Sequence, residues 1–227
     1  AEYGRVLIPL DDAAAGAPSH SIHLKPLAED ALSLPVRTGK ARVIGIEPAS
    51  LVTKSLVREV NTDDAGCFQS ALNPGLTKIA VIERHKRTGK LGIGILEGYG
   101  LTGGAIATTI SHDSHNIVVA GDNDPDMLLA VRELADMGGG IVSVHGGAIR
   151  RLPLPIAGLM TSADPQEVNA VLHDMLVAAR AELGIPEDVE PFMTLSFMAL
   201  PVIPELKLTA RGLFNVNTFS FVGVEAD

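Results

Sequence analysis

GAIATTISHDSHNIVVAGDNDPDMLLAVRELADMGGG, residues 104–140, decides the fold class. Two short apolar runs, 104–110 and 116–121, read as strands, so SHDSHN (111–116) sits at strand ends or in the connection between them. A helix follows. Asp124 is placed to cap it, Pro125 suits its first position, and Asp126 complements its positive end. Met127, Leu128, Val131 and Leu134 form its apolar face, and Gly138 to Gly140 stop it.

The same alternation extends outward. ARVIGIE (41–47), LVTKSLVREV (51–60), TKIAVIER (77–84) and LGIGILEG (91–98) are β-like runs, parted by the turn clusters NTDDAG, NPG and RTGK. GIVSVHGGAIRRLPL (140–154) reads as a strand pair about Gly146–Gly147. Asp164 and Glu167, with Pro165 between, have capping-box spacing. Val168, Val171, Leu172, Met175, Leu176, Ala179 and Leu183 then keep helical spacing until Gly184 and Pro186. Residues 3–10 look like a strand and 11–21 like a linker. A strand-rich first half and a mixed second half predict an α/β (mixed α+β) fold, with layered mixed β-sheets and packed helices.

Bulk properties narrow the function classes. With 46% hydrophobic and 20% charged residues the chain is globular rather than disordered. Its net charge of −9 makes nucleic acid a poor partner. A single cysteine, Cys67, excludes an internal disulfide and fits a reducing compartment. Neither a signal peptide nor an apolar stretch of about 20 residues is found, so the expected location is cytoplasmic, without membrane contact. The chain begins with Ala1 rather than Met and reads as a processed or excised piece.

SHDSHN concentrates the chemistry. Histidine titrates near neutrality, and a neighbouring carboxylate fixes its tautomer or holds its proton. His112, Asp113 and His115 are the candidate catalytic groups, in a supporting role. Ser111, Ser114, Asn116 and Glu83, the last in IERH just past a strand end, are the candidate substrate contacts. The competing reading is a turn whose side chains satisfy their own backbone. His-x-x-His plus Asp needs further ligands for a metal, and no spacing selects among His145, His85, Glu83, His20 and His23. Arg150–Arg151 is an anion candidate, though usually plain surface. No phosphate loop and no Gly-x-Ser-x-Gly elbow occur. Cys67 reads as a free thiol. The methionines of PFMTLSFMALPVIPELKLT are expected in the core.

Four blocks carry a resemblance: RVIGIEPASLVTKSL (42–56), the long run 78–131 from KIAVIERHK to DPDMLLAV, LPLPIAGLM (152–160) and EPFMTLSFMALPVIPELKLTARGL (190–213). From about residue 40 to 216 the chain resembles the C-terminal region of bacterial adenine deaminases of the amidohydrolase superfamily. The resemblance implies hydrolysis of adenine to hypoxanthine and ammonia, with a divalent metal, manganese or iron, activating water in a (β/α)₈ barrel. This chain has no His-x-His and is short for a barrel plus this region. It is therefore expected to be the C-terminal domain (40–227), with 1–39 as the tail of a preceding domain and linker. No cofactor is expected within it. The expected partners are the missing barrel, adenine as substrate of the whole enzyme, and a second copy in a homo-oligomer. Two alternatives stay open: a non-catalytic docking or oligomerisation module, and an independent metal-dependent hydrolase.

Overall fold

Side-chain alternation gives the strand Leu76–Ile82 (β3) two buried faces. Ile79 and Val81 enter one apolar cluster, Ala80 and Ile82 another. The strand Ile117–Gly121 (β6) does the same with Val118 and Ala120 against Ile117 and Val119. Strands covered on both sides read as continuous apolar runs, and that is what NIVVAG is.

The computed structural model describes residues 21–226. The strand expected at 3–10, nearly all of the linker expected at 11–21, and His20 lie outside them. The other elements are β1 (Lys40–Ile46), β2 (Thr53–Glu59), β4 (Leu91–Glu97), β5 (Gly104–Thr108), α1 (Asp124–Asp136), β7 (Gly140–His145), β8 (Ala148–Pro153), α2 (Pro165–Ala181), α3 (Pro191–Phe197), β9 (Leu206–Thr209), β10 (Gly212–Asn215) and β11 (Ser220–Phe221). Eight strands form one sheet in the order β2-β1-β4-β3-β6-β5-β7-β8. The β1–β4 pair is parallel and the rest antiparallel. The sheet ends at β2 and β8, so the described residues contain no closed barrel. α1 covers one face with Met127, Leu128, Val131 and Leu134. α2, α3 and a small sheet, β11-β10-β9, cover the other. The fold is the expected layered α+β arrangement.

Two close approaches build the second layer. A Cβ on Gly92 of β4 would lie 2.1 Å from the Thr209 carbonyl oxygen, so only glycine lets the small sheet reach the large one. Tyr99 donates to the Pro191 carbonyl at 2.9 Å and seats the start of α3.

Three expectations need correction. The cap of α1 is Asn123, whose Oδ1 accepts from the Asp126 N–H at 2.9 Å. Asp124 is the first helical residue instead, and its carboxylate lies 2.5 Å from the buried Lys78. Asp164 does cap α2, accepting from Gln166 N–H at 2.8 Å, but Val171 is exposed rather than packed. Of the methionines expected in the core, Met198 is buried, while Met193 is 56% exposed on α3, an element the sequence reading did not separate.

Candidate functional site

SHDSHN is the connection between β5 and β6. The hairpin register pairs Thr108 with Val118, so the loop projects from one end of two fully buried strands. It is fastened through its main chain. The His115 N–H bonds back to the Ser111 carbonyl, and the His112 N–H donates to the Ser196 carbonyl of α3 at 2.9 Å. The Ser114 carbonyl lies 2.8 Å from His85 Nε2. The Arg84 guanidinium holds the His115 carbonyl through Nε, and the Arg84 N–H meets Asn116 Oδ1 at 3.4 Å. His115 has a φ of 47°, a left-handed conformation uncommon outside glycine.

The six loop residues therefore separate by role. Ser111 is fully buried, and among the described residues neither its Oγ nor the buried His115 Nδ1 has a hydrogen-bond partner. Unsatisfied buried polar atoms are rare in folded proteins, and two within one loop are a reason to expect a ligand or partner there. Asn116 is buried and bonded, whereas Asp113 and Ser114 face solvent. The His112 ring lies 4.5 Å from Phe197 and 5.7 Å from His115, centroid to centroid. Burial lowers the pKa of His115, the charges of His112 and Arg84 push the same way, and Asp113 opposes them. A neutral imidazole with a free ring nitrogen is equipped to accept or relay a proton.

Glu83 holds the neighbouring turn. Its oxygens accept from the N–H groups of His85, Lys86 and Thr88 and from the Thr88 hydroxyl, at 2.6–3.0 Å. Burial alone would raise its pKa. The four hydrogen bonds outweigh that and hold it at about 2. It organises the β3–β4 turn beside the loop.

The sequence reading missed Arg84 and the α3 contribution. The signal for Arg84 was present: it lies two residues past the end of β3, in step with Ala80 and Ile82 on one buried face. On the α3 side, Ile110, His112, Leu172, Phe192, Met193 and Phe197 line a mainly apolar cleft of about 450 Å³. Arg150 is tied to Glu182 and Asp174, and Arg151 to Glu133, so neither is arranged around an anion. Among the described residues no three His, Cys, Asp or Glu side chains are placed to hold a metal ion. The donor set does not fit a divalent centre, and no metal-dependent step is assigned to it.

Comparisons with known proteins bear on this loop directly. The family model for the adenine deaminase C-terminal domain matches residues 50–220, the loop included. The chain is 56% identical over 222 residues to an adenine deaminase of Nitratidesulfovibrio vulgaris, covering 97% of this chain and 38% of that protein. It is 46% identical over 228 residues to adenine deaminase 2 of Carboxydothermus hydrogenoformans, covering 99% and 39%. With an adenine deaminase of Clostridium acetobutylicum it shares 44% over 205 residues, covering 90% and 36%. The chain spans about two fifths of the length of these relatives. A match over three quarters of its residues, running through every strand of the large sheet but β1 and through the loop at its end, places this chain in the adenine deaminase C-terminal domain family.

Proposed function

We propose that this chain is the C-terminal part of a metal-dependent adenine deaminase, which turns adenine and water into hypoxanthine and ammonia, and that the 111–116 loop faces its active site. Residues 40–227 are the domain proper, and 1–39 lead into it from a preceding domain. The divalent ion, manganese or iron, belongs to a barrel outside this chain, as do the groups that bind it. His115 positions the base or relays a proton, Ser111 and Asn116 shape the pocket floor, and His112 and Asp113 orient the loop. The apolar cleft beside His112 packs on the barrel. A cytoplasmic homo-oligomer completes the proposal.

The observation that carries it is a pair of buried atoms, Ser111 Oγ and His115 Nδ1, that have no partner among the described residues, in a loop that lies within the family match. A docking module without catalytic duty is the second reading, favoured by the exposed Met193 on the cleft. The two separate by alanine replacement of Ser111, His112, Asp113 and His115 in the full-length protein. His115→Ala is expected to lower kcat by roughly 10²-fold, the contribution of a proton-transferring group. Unchanged turnover and unchanged KM for adenine in all four variants would return the loop to docking.

A further inference from the structure

Arg84 is 1% exposed, yet the proposed chemistry does not use its side chain. Its donors reach three separate segments. Nε bonds the His115 carbonyl, Nη1 meets Ser21 at the carbonyl (3.2 Å) and the hydroxyl (2.9 Å), and Nη2 donates to the Ala157 carbonyl at 3.0 Å. Among the described residues no carboxylate pairs with it; every acceptor is a main-chain carbonyl or a hydroxyl. A guanidinium is suited to this, because its rigid fork addresses several acceptors at fixed angles. Gly158 gives it room: a Cβ there would stand 2.9 Å from Nη1. His115 is thus pinned on both sides, its N–H by Ser111 and its carbonyl by Arg84.

We propose that Arg84 is the positioning residue of the 111–116 loop, fixing the left-handed backbone of His115 and so aiming its imidazole at the substrate. The proposal rests on the loop serving adenine turnover. It adds that the aim is set from below the loop, by a charged group that touches neither substrate nor the reacting atoms.

The charge has a second effect. The titratable groups around the His115 ring are His112, Arg84, Asp113 and His85, and burial together with the Arg84 charge favours the neutral ring. Removing the Arg84 charge raises the pKa of His115. The ring then protonates at higher pH, and the acid limb of the rate profile moves up with it.

The test uses the full-length enzyme. Arg84→Gln is expected to lower kcat for adenine about 100-fold, the effect of a misplacement near 1 Å, and to shift the acid limb of kcat/KM upward. Arg84→Lys is expected to lose rate as well, since one ammonium cannot span three segments, but to keep the limb in place because the charge stays. Should loss of the guanidinium prevent folding, Gly158→Ala keeps the arginine and displaces it; a lowered kcat with an unmoved limb is expected. An Arg84→Gln enzyme within twofold of the parent overturns the inference, and so does a rate loss with an unmoved limb. For Gly158→Ala, a parental kcat overturns it. If His115→Ala is slow while the Arg84 variants are fast, only this inference falls. If His115→Ala also runs at the parental rate, the loop reading itself fails.

Discussion

Burial acts on Lys207 with little to oppose it. The side chain is 0% exposed, its ammonium donates to the Leu51 carbonyl at 2.8 Å, and its pKa is pushed down from 10.5 to about 8. Between those two values the unfolded chain keeps a proton that the folded one has released, so stability rises with pH across that window. Thermal unfolding of the full-length protein is expected to show this rise, and Lys207→Met to flatten it while raising the midpoint below pH 8. A slope that survives the substitution would assign it to other groups. Residue identity was readable in the sequence here, but consequence was not. Glu83 and Arg84 are adjacent charges past one strand end. The first closes a turn through neighbours within five residues, and the second reaches residues 21, 115 and 157. Acceptors that distant are supplied by tertiary packing, and no local pattern announces them.

At the level of elements, short apolar runs between turn clusters revealed the central strands of the large sheet, such as β3, β5 and β6, because two-sided burial leaves an unmistakable composition. α3 escaped notice for the opposite reason. Seven residues hold too few turns to show a period, and the helix is defined by its cap, where Glu190 accepts from the Met193 N–H, and by its anchor on Tyr99. The cap of α1 was misplaced by one residue, because Asn123 and Asp124 are both good caps and only Lys78, 46 positions away, decides between them. The contact between the two sheets offers a sharper test. Gly92→Ala sets a methyl against the Thr209 carbonyl, so the small sheet must back away. A loss of about 1–3 kcal/mol is expected, read as a melting temperature lower by about 2–4 °C per kcal/mol. A variant as stable as the parent would mean that β9 and β10 tolerate displacement.

For the whole molecule, what matters is which side of the sheet remains available. α1 covers one face, and the other carries α2, α3 and the small sheet, with the apolar cleft opening between α2, α3 and the loop. If the remainder of the deaminase packs there, as proposed, Met193→Glu in the full-length protein places a charge inside that contact. Limited proteolysis is then expected to release this portion on the order of tenfold faster, the effect of about 1.4 kcal/mol, with reduced adenine turnover. An unaltered cleavage rate would leave the cleft facing water. Net charge made nucleic acid a poor partner from the sequence, but the location of this face was not visible there, because it joins residues 108–112, 141, 172 and 190–197.

The loop is fixed by peptide groups: the carbonyls of Ser111, Ser114 and His115 and the N–H groups of His112 and His115 make its main attachments. Every amino acid except proline brings those same groups. Exchanging the side chains at 112 to 114 therefore leaves the scaffold standing, and related proteins can alter what the loop displays without having to reinvent how it is held.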